Sequence, residues 1–143
     1  TLLGELNMHI YGSKEYLKKV KNVNDFQWVT YKRKDQADTN FVVKTFFKDP
    51  NIIISSNSYQ DAHAFVSSGN GAAFLTELDG ENDPRLKSYK KEEYSFKIGF
   101  YLIQHELSRS NPIVRAVKKL ILENIDELLR QTNYVSGYDQ KKP

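Results

Sequence analysis

The sequence predicts an α/β fold with a largely parallel sheet, and three observations carry that prediction. Segments with strand character alternate along the chain with segments of helical periodicity, the pattern of helices packed on a sheet. The stretch Asn51–Leu75 (NIIISSNSYQDAHAFVSSGNGAAFL) has the order strand, polar cap, helix, glycine turn, strand. A crossover of that kind makes two parallel strands and is almost always right-handed. At 143 residues, with 39% hydrophobic and 27% charged content, the chain can bury one core and is too apolar to stay disordered.

Taken in order, Leu2–Tyr11 is the first expected strand, with Leu6, Met8 and Ile10 on one face. Gly12-Ser13 turns the chain, and Ser13 caps a helix over Lys14–Val20 by accepting from free backbone N–H groups. After a polar connection at Asn22–Asp25, the aromatic and β-branched run Phe26–Tyr31 is the next strand. Lys32–Asp38 is a charged loop. Thr39–Phe47 is expected to be helical, with Phe41, Val42, Thr45 and Phe46 on a shared face, and Asp49-Pro50 ends it. Ile52-Ile53-Ile54 is expected as a buried strand. Ser55–Ser58 then caps a helix whose apolar stripe is Tyr59, Ala62, Phe65 and Val66. Gly69-Asn70-Gly71 stops that helix, because these residues tolerate a left-handed backbone, and Ala72–Leu75 follows as a strand.

Thr76–Lys91, polar and containing Gly80 and Pro84, is expected to be loop with little regular structure. Tyr94–Gln104 is a strand in which Phe96, Ile98, Phe100 and Leu102 alternate. After a turn at Leu107–Ser110, Asn111 caps the last helix and Pro112 takes its first position, where a missing N–H costs nothing. Val114, Val117, Ile121, Ile125 and Leu128 form its stripe through Arg130, and Thr132–Pro143 is expected to be a flexible tail.

The bulk properties exclude several functions. A net charge of +3, with Lys32-Arg33-Lys34 and Lys90-Lys91 as its local clusters, lacks the broad basic stripe of a nucleic-acid surface. There are no cysteines, hence no disulfides, thiolate metal sites or Cys nucleophile. No apolar run approaches membrane-spanning length, so no membrane partner is expected. The chain opens on Thr1 without an initiator Met, so it is expected to be processed, proteolysed or an excised piece, with sequence missing upstream.

Chemistry-bearing motifs are sparse. The glycines at 69 and 71 follow a helix and open a strand, the reverse of a dinucleotide-binding loop. Asp79, Glu81 and Asp83 resemble the start of a calcium loop, but Pro84 interrupts it; a solvated acidic turn is expected. His9, His63 and His105 lack the close spacing of metal ligands, although His63, inside the central helix, can reach a neighbouring strand or a ligand. Neither a Gly-x-Ser-x-Gly elbow nor a carboxylate pair at a strand end is present, so no enzyme is expected and no cofactor is implied. The polar tract Ser55–Ser58, between strand and helix, is where α/β sheets collect ligands, and Thr30-Tyr31 ends another strand. By itself such a tract is a helix cap contributing about 1 kcal/mol; as a site it would cradle a small anion or carboxylate with hydroxyl and N–H groups.

The same features, in order, resemble the effector-binding domain of LysR-type transcriptional regulators over roughly residues 4–130. A strand leads into Ser13-Lys14-Glu15-Tyr16-Leu17; Asp25-Phe26 precedes the strand Trp28–Tyr31. The central strand, helix and Gly-x-Gly turn follow, and a return strand leads to Ser110–Ala116, which matches Ser-Asn-Pro-x-Val-Arg-Ala. Two departures stand out: Thr76 occupies a position that is often Pro, and the family's DNA-binding winged helix-turn-helix and the first part of its effector domain are absent from these residues.

The resemblance implies a type II periplasmic-binding-protein-like fold. Residues 1–131 would be a partial effector domain, with subdomain II at about 10–95, hinge strands at about 2–11 and 94–104, and a terminal helix at 112–130. It implies a bacterial, cytoplasmic regulator that senses a small-molecule effector between two subdomains and works as a homodimer, touching DNA through a domain outside this chain. Carried onto this sequence, the effector contacts would be Thr30, Ser56, Asn57 and Ser58. The alternative is a fragment of a type II periplasmic solute-binding protein, which shares the hinged plan.

Overall fold

The structure, a computed structural model, describes residues 1–32 and 38–129. The expected tail at 132–143, Arg130 at the expected end of the last helix, the side chain of Leu128 and positions 33–37 of the charged loop lie outside the described residues. The chain forms two compact units: Met8–Phe96, and Thr1–Asn7 together with the chain from Lys97.

The Met8–Phe96 unit holds most of the strands. They are β1 (Leu2–Ser13, which begins before the unit), β2 (Gln27–Tyr31), β3 (Asn51–Ser56), β4 (Ala72–Thr76) and β5 (Leu86–Tyr89). Its helices are α1 (Lys14–Lys19), α2 (Thr39–Phe46), α3 (Tyr59–Ser67) and α4 (Glu77–Asn82). The strand order is β3-β2-β4-β1-β5. β2 is parallel to both β3 and β4, so the crossover through α3 passes over β2 instead of joining neighbours. β1 is antiparallel to β4 and to β5. The sheet is therefore mixed and not largely parallel. Periodicity identifies a strand's inner face but says nothing of the direction of a neighbour to which no crossover joins it.

Aromatic residues make the core. Trp28 stacks on Phe47 at 5.1 Å and on Phe74 at 5.9 Å, whereas Tyr31 meets Tyr59 of α3 edge-on at 5.1 Å. Residues three apart on a strand point to opposite faces, so the end of α2 covers one face of β2 and α3 covers the other. Burying Trp28, Phe26, Phe74, Val29 and Val66, all essentially inaccessible, is the main stabilising contribution.

Several expectations change. β3 is an edge strand, not a buried one, and Ile53 is 41% exposed. The register steps from Trp28↔Ile52 to Val29↔Ile54, so Ile53 is a bulge, one of the ways by which edge strands resist further pairing. In α2 the buried positions are Thr39 and Val43, while Phe41 is 69% exposed. The hydroxyl of Thr39 accepts from Tyr31 N at 2.7 Å and donates to Tyr31 O at 2.9 Å, which fixes the rotation of the helix. Phe65 of α3 is likewise half-exposed. Strand β1 continues through Gly12 and Ser13, because both pair with β5 and Gly12 also pairs with β4.

The segment after β4 is not loop: it forms α4 and β5. Thr76 caps α4 by accepting from Asp79 N, and Gly80 lets the helix lie on Tyr11, whose ring stands where a Cβ would be. The glycines after α3 do cap it, with Asn70 N donating to Phe65 O at 3.2 Å and Gly69 at a φ of 93°.

In the other unit, Leu102 N donates to Thr1 O at 2.8 Å on β6 (Ser95–Tyr101) and its continuation, and β6 pairs with β1. α5 (Pro112–Leu129) starts as expected, with Asn111 Oδ1 accepting from Ile113 N at 2.9 Å. Ile125 is buried, but Val117 of the same stripe is half-exposed, as are Ile113 and Leu120 to a greater degree.

Candidate functional site

Because β2, β3 and β4 run parallel, their C-terminal ends, Tyr31, Ser56 and Thr76, lie at one end of the sheet, where α2 and α3 begin. The turn into α3 is ordered by its own side chains. Ser56 Oγ accepts from Ser58 N at 3.0 Å, and Ser58, the N-cap, accepts from Asp61 N at 3.3 Å. Ser56 and Ser58 are partly exposed and Asn57 is exposed, with no hydrogen bond from its side chain among the described residues. Ser56, Asn57 and Ser58 thus form one polar turn facing solvent. Thr30 does not share that surface. It is fully buried beside β3, and its hydroxyl donates to Ile54 O at 3.4 Å.

Beneath the turn lies a network that sequence reasoning missed. Tyr59, the first residue of α3, donates its OH to Asp79 Oδ2 at 2.6 Å and accepts from Thr76 N at 3.1 Å. Thr76 Oγ1 donates to the same carboxylate oxygen at 2.8 Å. Burial, reinforced by Asp79, pushes the Tyr59 phenol far above its ordinary range, so it stays a neutral donor. The network ties the start of α3 to the end of β4 and to α4. The one sequence signal for it is the spacing Thr76-x-x-Asp79, which places a carboxylate on the first turn of a capped helix.

The acidic stretch is not a solvated turn. Asp83 is buried and accepts from Ser67 Oγ at 2.7 Å and from Arg85 Nε and Nη2 at 2.9 Å, with His63 Nε2 3.0 Å away. Arg85 first, then Ser67 and His63, hold its carboxyl well below the usual range. Glu81 accepts from Tyr11 OH at 3.0 Å and pairs with Lys91. Ser67 and His63 thus converge on one oxygen of the Asp83 carboxylate. Among the described residues no cluster of three or more His, Asp or Glu could hold a metal ion. No helix of the described residues is long and apolar enough to cross a membrane.

No protein-family model matches the sequence, and no curated protein does. Solved structures do match. The regulatory domain of HypT from Salmonella typhimurium aligns with a TM-score of 0.63 at 13% identity, over 84% of this chain and 63% of that one. Full-length HypT is described as a hypochlorite-specific LysR-type transcriptional regulator. The regulatory domain of CrgA, a LysR-type regulator from Neisseria meningitidis, aligns with a TM-score of 0.65 at 16% identity over 87% of this chain and 67% of that one. The fold is that of a LysR-type regulatory domain. The regulatory domain of an AphB variant from Vibrio vulnificus also matches, at a TM-score of 0.58 and 10% identity, over 85% of this chain. The LysR-type regulatory domain has the type II periplasmic-binding-protein-like plan expected from the sequence. This chain spans less than two thirds of the HypT regulatory domain.

Proposed function

We propose that this chain is the ligand-sensing part of a LysR-type transcriptional regulator, and that a small anion or carboxylate is read by the Ser56–Ser58 turn. The observation that carries the proposal is the placement of that turn: two parallel strands end at one edge of the sheet in a LysR-type fold, and solvent-facing hydroxyls precede a nine-residue helix. Free N–H groups and the positive end of a helix favour an anion there. Ser56, Asn57 and Ser58 make the contacts. Thr30 acts from below by holding the Ile54 carbonyl, and the Tyr59–Asp79–Thr76 network fixes the floor.

The mechanism is allosteric. An effector that binds one arrangement of the regulator more tightly than another shifts its population and thereby the presentation of DNA-binding domains carried elsewhere in the protein. In this reading the protein is a bacterial, cytoplasmic homodimer with no catalytic activity and no cofactor. No observation of the fold favours the periplasmic solute-binding alternative.

The test is Ser56→Ala with Asn57→Ala in the complete regulator. Each hydrogen bond to a charged ligand is worth about 1.5–3 kcal/mol. Effector-dependent transcription is therefore expected to need at least about tenfold more effector, with DNA affinity unchanged. A normal effector titration in the double variant would remove the turn from the site.

A further inference from the structure

His9 lies on β1 and is 7% exposed. Its Nε2 stands 3.5 Å from Glu77 Oε1, and neither ring nitrogen makes a hydrogen bond. The same Glu77 oxygen is 3.7 Å from Lys91 Nζ, and Glu77 is itself 8% exposed. Lys91 also pairs with Glu81, which accepts from Tyr11 OH. Among the described residues, the groups that face His9 are Tyr11 from β1, Glu77 and Glu81 from α4, and Lys91 from the turn between β5 and β6. Burial disfavours the charged form of the ring, and the carboxylate oxygen beside it, Glu77 Oε1, is already shared with Lys91. Protonation would put a cation where water cannot reach it, beside carboxylates that Lys91 already partly neutralises.

We propose that His9 is a proton-sensitive latch for α4: when the ring takes up a proton, Glu77–Asn82 opens away from β1 so that the imidazolium is hydrated. α4 is suited to the role. It is a single six-residue helix held by its Thr76 cap, the Asp79–Tyr59 bond and the Glu81–Tyr11 bond. Short elements with few buried contacts are the ones that open locally. Through Asp79 and Tyr59 the opening also loosens the floor beneath the Ser56–Ser58 turn. That second step rests on the ligand reading proposed above, whereas the latch itself does not.

The direction follows from linkage. Burial lowers the His9 pKa from 6.5 in the closed state, outweighing the opposing pull of Glu77, while an opened His9 titrates near 6.5. The closed state is thus fully favoured above pH 6.5 and loses ground as the pH falls from there towards the depressed value. Within that window the opening constant rises by about tenfold per pH unit.

Native-state hydrogen exchange and proton NMR on the full chain, without ligand, test the latch. The His9 ring should titrate with a midpoint below 6.5, and the protection factors of the amides at 77–82 should fall by up to about tenfold per pH unit through that titration. In His9→Gln the pH-dependent part should vanish. Should that variant fail to fold, Glu77→Gln serves, since loss of the carboxylate that favours the proton should move the ring titration and the loss of protection to lower pH together. A midpoint at or above 6.5, pH-independent protection of α4, the same pH profile in His9→Gln, or no movement in Glu77→Gln would each overturn the proposal. Because no ligand enters the experiment, failure of the ligand reading leaves its outcome unchanged.

Discussion

Replacing Thr39 by Val should destabilise the Met8–Phe96 unit far more than the change in shape warrants. The two side chains are nearly isosteric, and Thr39 is 1% exposed, so no cavity opens. What disappears is a hydroxyl that serves the backbone N–H and C=O of one residue, at 2.7 Å and 2.9 Å from Tyr31 N and O. Leaving a buried polar group unsatisfied costs about 1–3 kcal/mol. With both the N–H and the carbonyl of Tyr31 losing the hydroxyl, a loss of about 2–3 kcal/mol is expected. With a urea m-value of about 1.5 kcal/mol/M, the unfolding midpoint should drop by about 1.3–2 M. Trp28, the single tryptophan, stacks at 5.1 Å on Phe47 just past the end of α2 and reports the transition by fluorescence. Thr39→Ser keeps the hydroxyl and should lose less than half as much. Equal loss in Ser and Val variants, or no loss in Val, would refute the claim that the hydroxyl clamps α2 to the end of β2.

Two further predictions concern the crossover and the acidic stretch. Gly71→Ala should prevent or severely weaken folding, because Gly71 sits at a φ of 75° and an added Cβ would lie 2.3 Å from Gln27 O; a variant with wild-type thermal stability would contradict the register at the start of β4. Asp83 is held below its ordinary pKa of 3.8 by Arg85, Ser67 and His63, so its stabilising contribution is present above pH 3.8 and is lost as the pH falls through the depressed value. Asp83→Asn should therefore be less stable than wild type at pH 7, and the gap should narrow as acid is added; a constant gap would show that ionisation is not what matters there.

How much of this was legible beforehand depended on whether the signal was local. The cap at Ser58, the left-handed glycines at 69 and 71, and the Asn111-Pro112 helix start are each written within a few residues, and each stands where the sequence places it. α4 has no sequence signature because a six-residue helix with Leu78 as its one large apolar side chain has no stripe. Phe41 was assigned to the wrong face because the rotation of α2 is set by a hydroxyl eight residues from its partner, which outweighs apolar periodicity. Asp83 read as solvated because Ser67 and His63 reach it only after α3 has packed. In the candidate site, Ser56, Asn57 and Ser58 share one exposed turn as adjacent residues must, whereas the inward orientation of Thr30 follows from strand pairing with β3. The Tyr59–Asp79 bond, spanning twenty residues, had no local signature.

Whether the Ser56–Ser58 turn binds a small anionic effector can be read by amide chemical-shift mapping. The isotope-labelled chain would be titrated with a panel of small carboxylates and inorganic anions. Saturable shifts centred on the amides of Ser56, Asn57, Ser58 and Tyr59 are expected for at least one of them, and should be lost in the Ser56→Ala, Asn57→Ala double variant. Saturable binding that leaves those four amides unmoved and maps elsewhere in the chain would contradict binding at the turn.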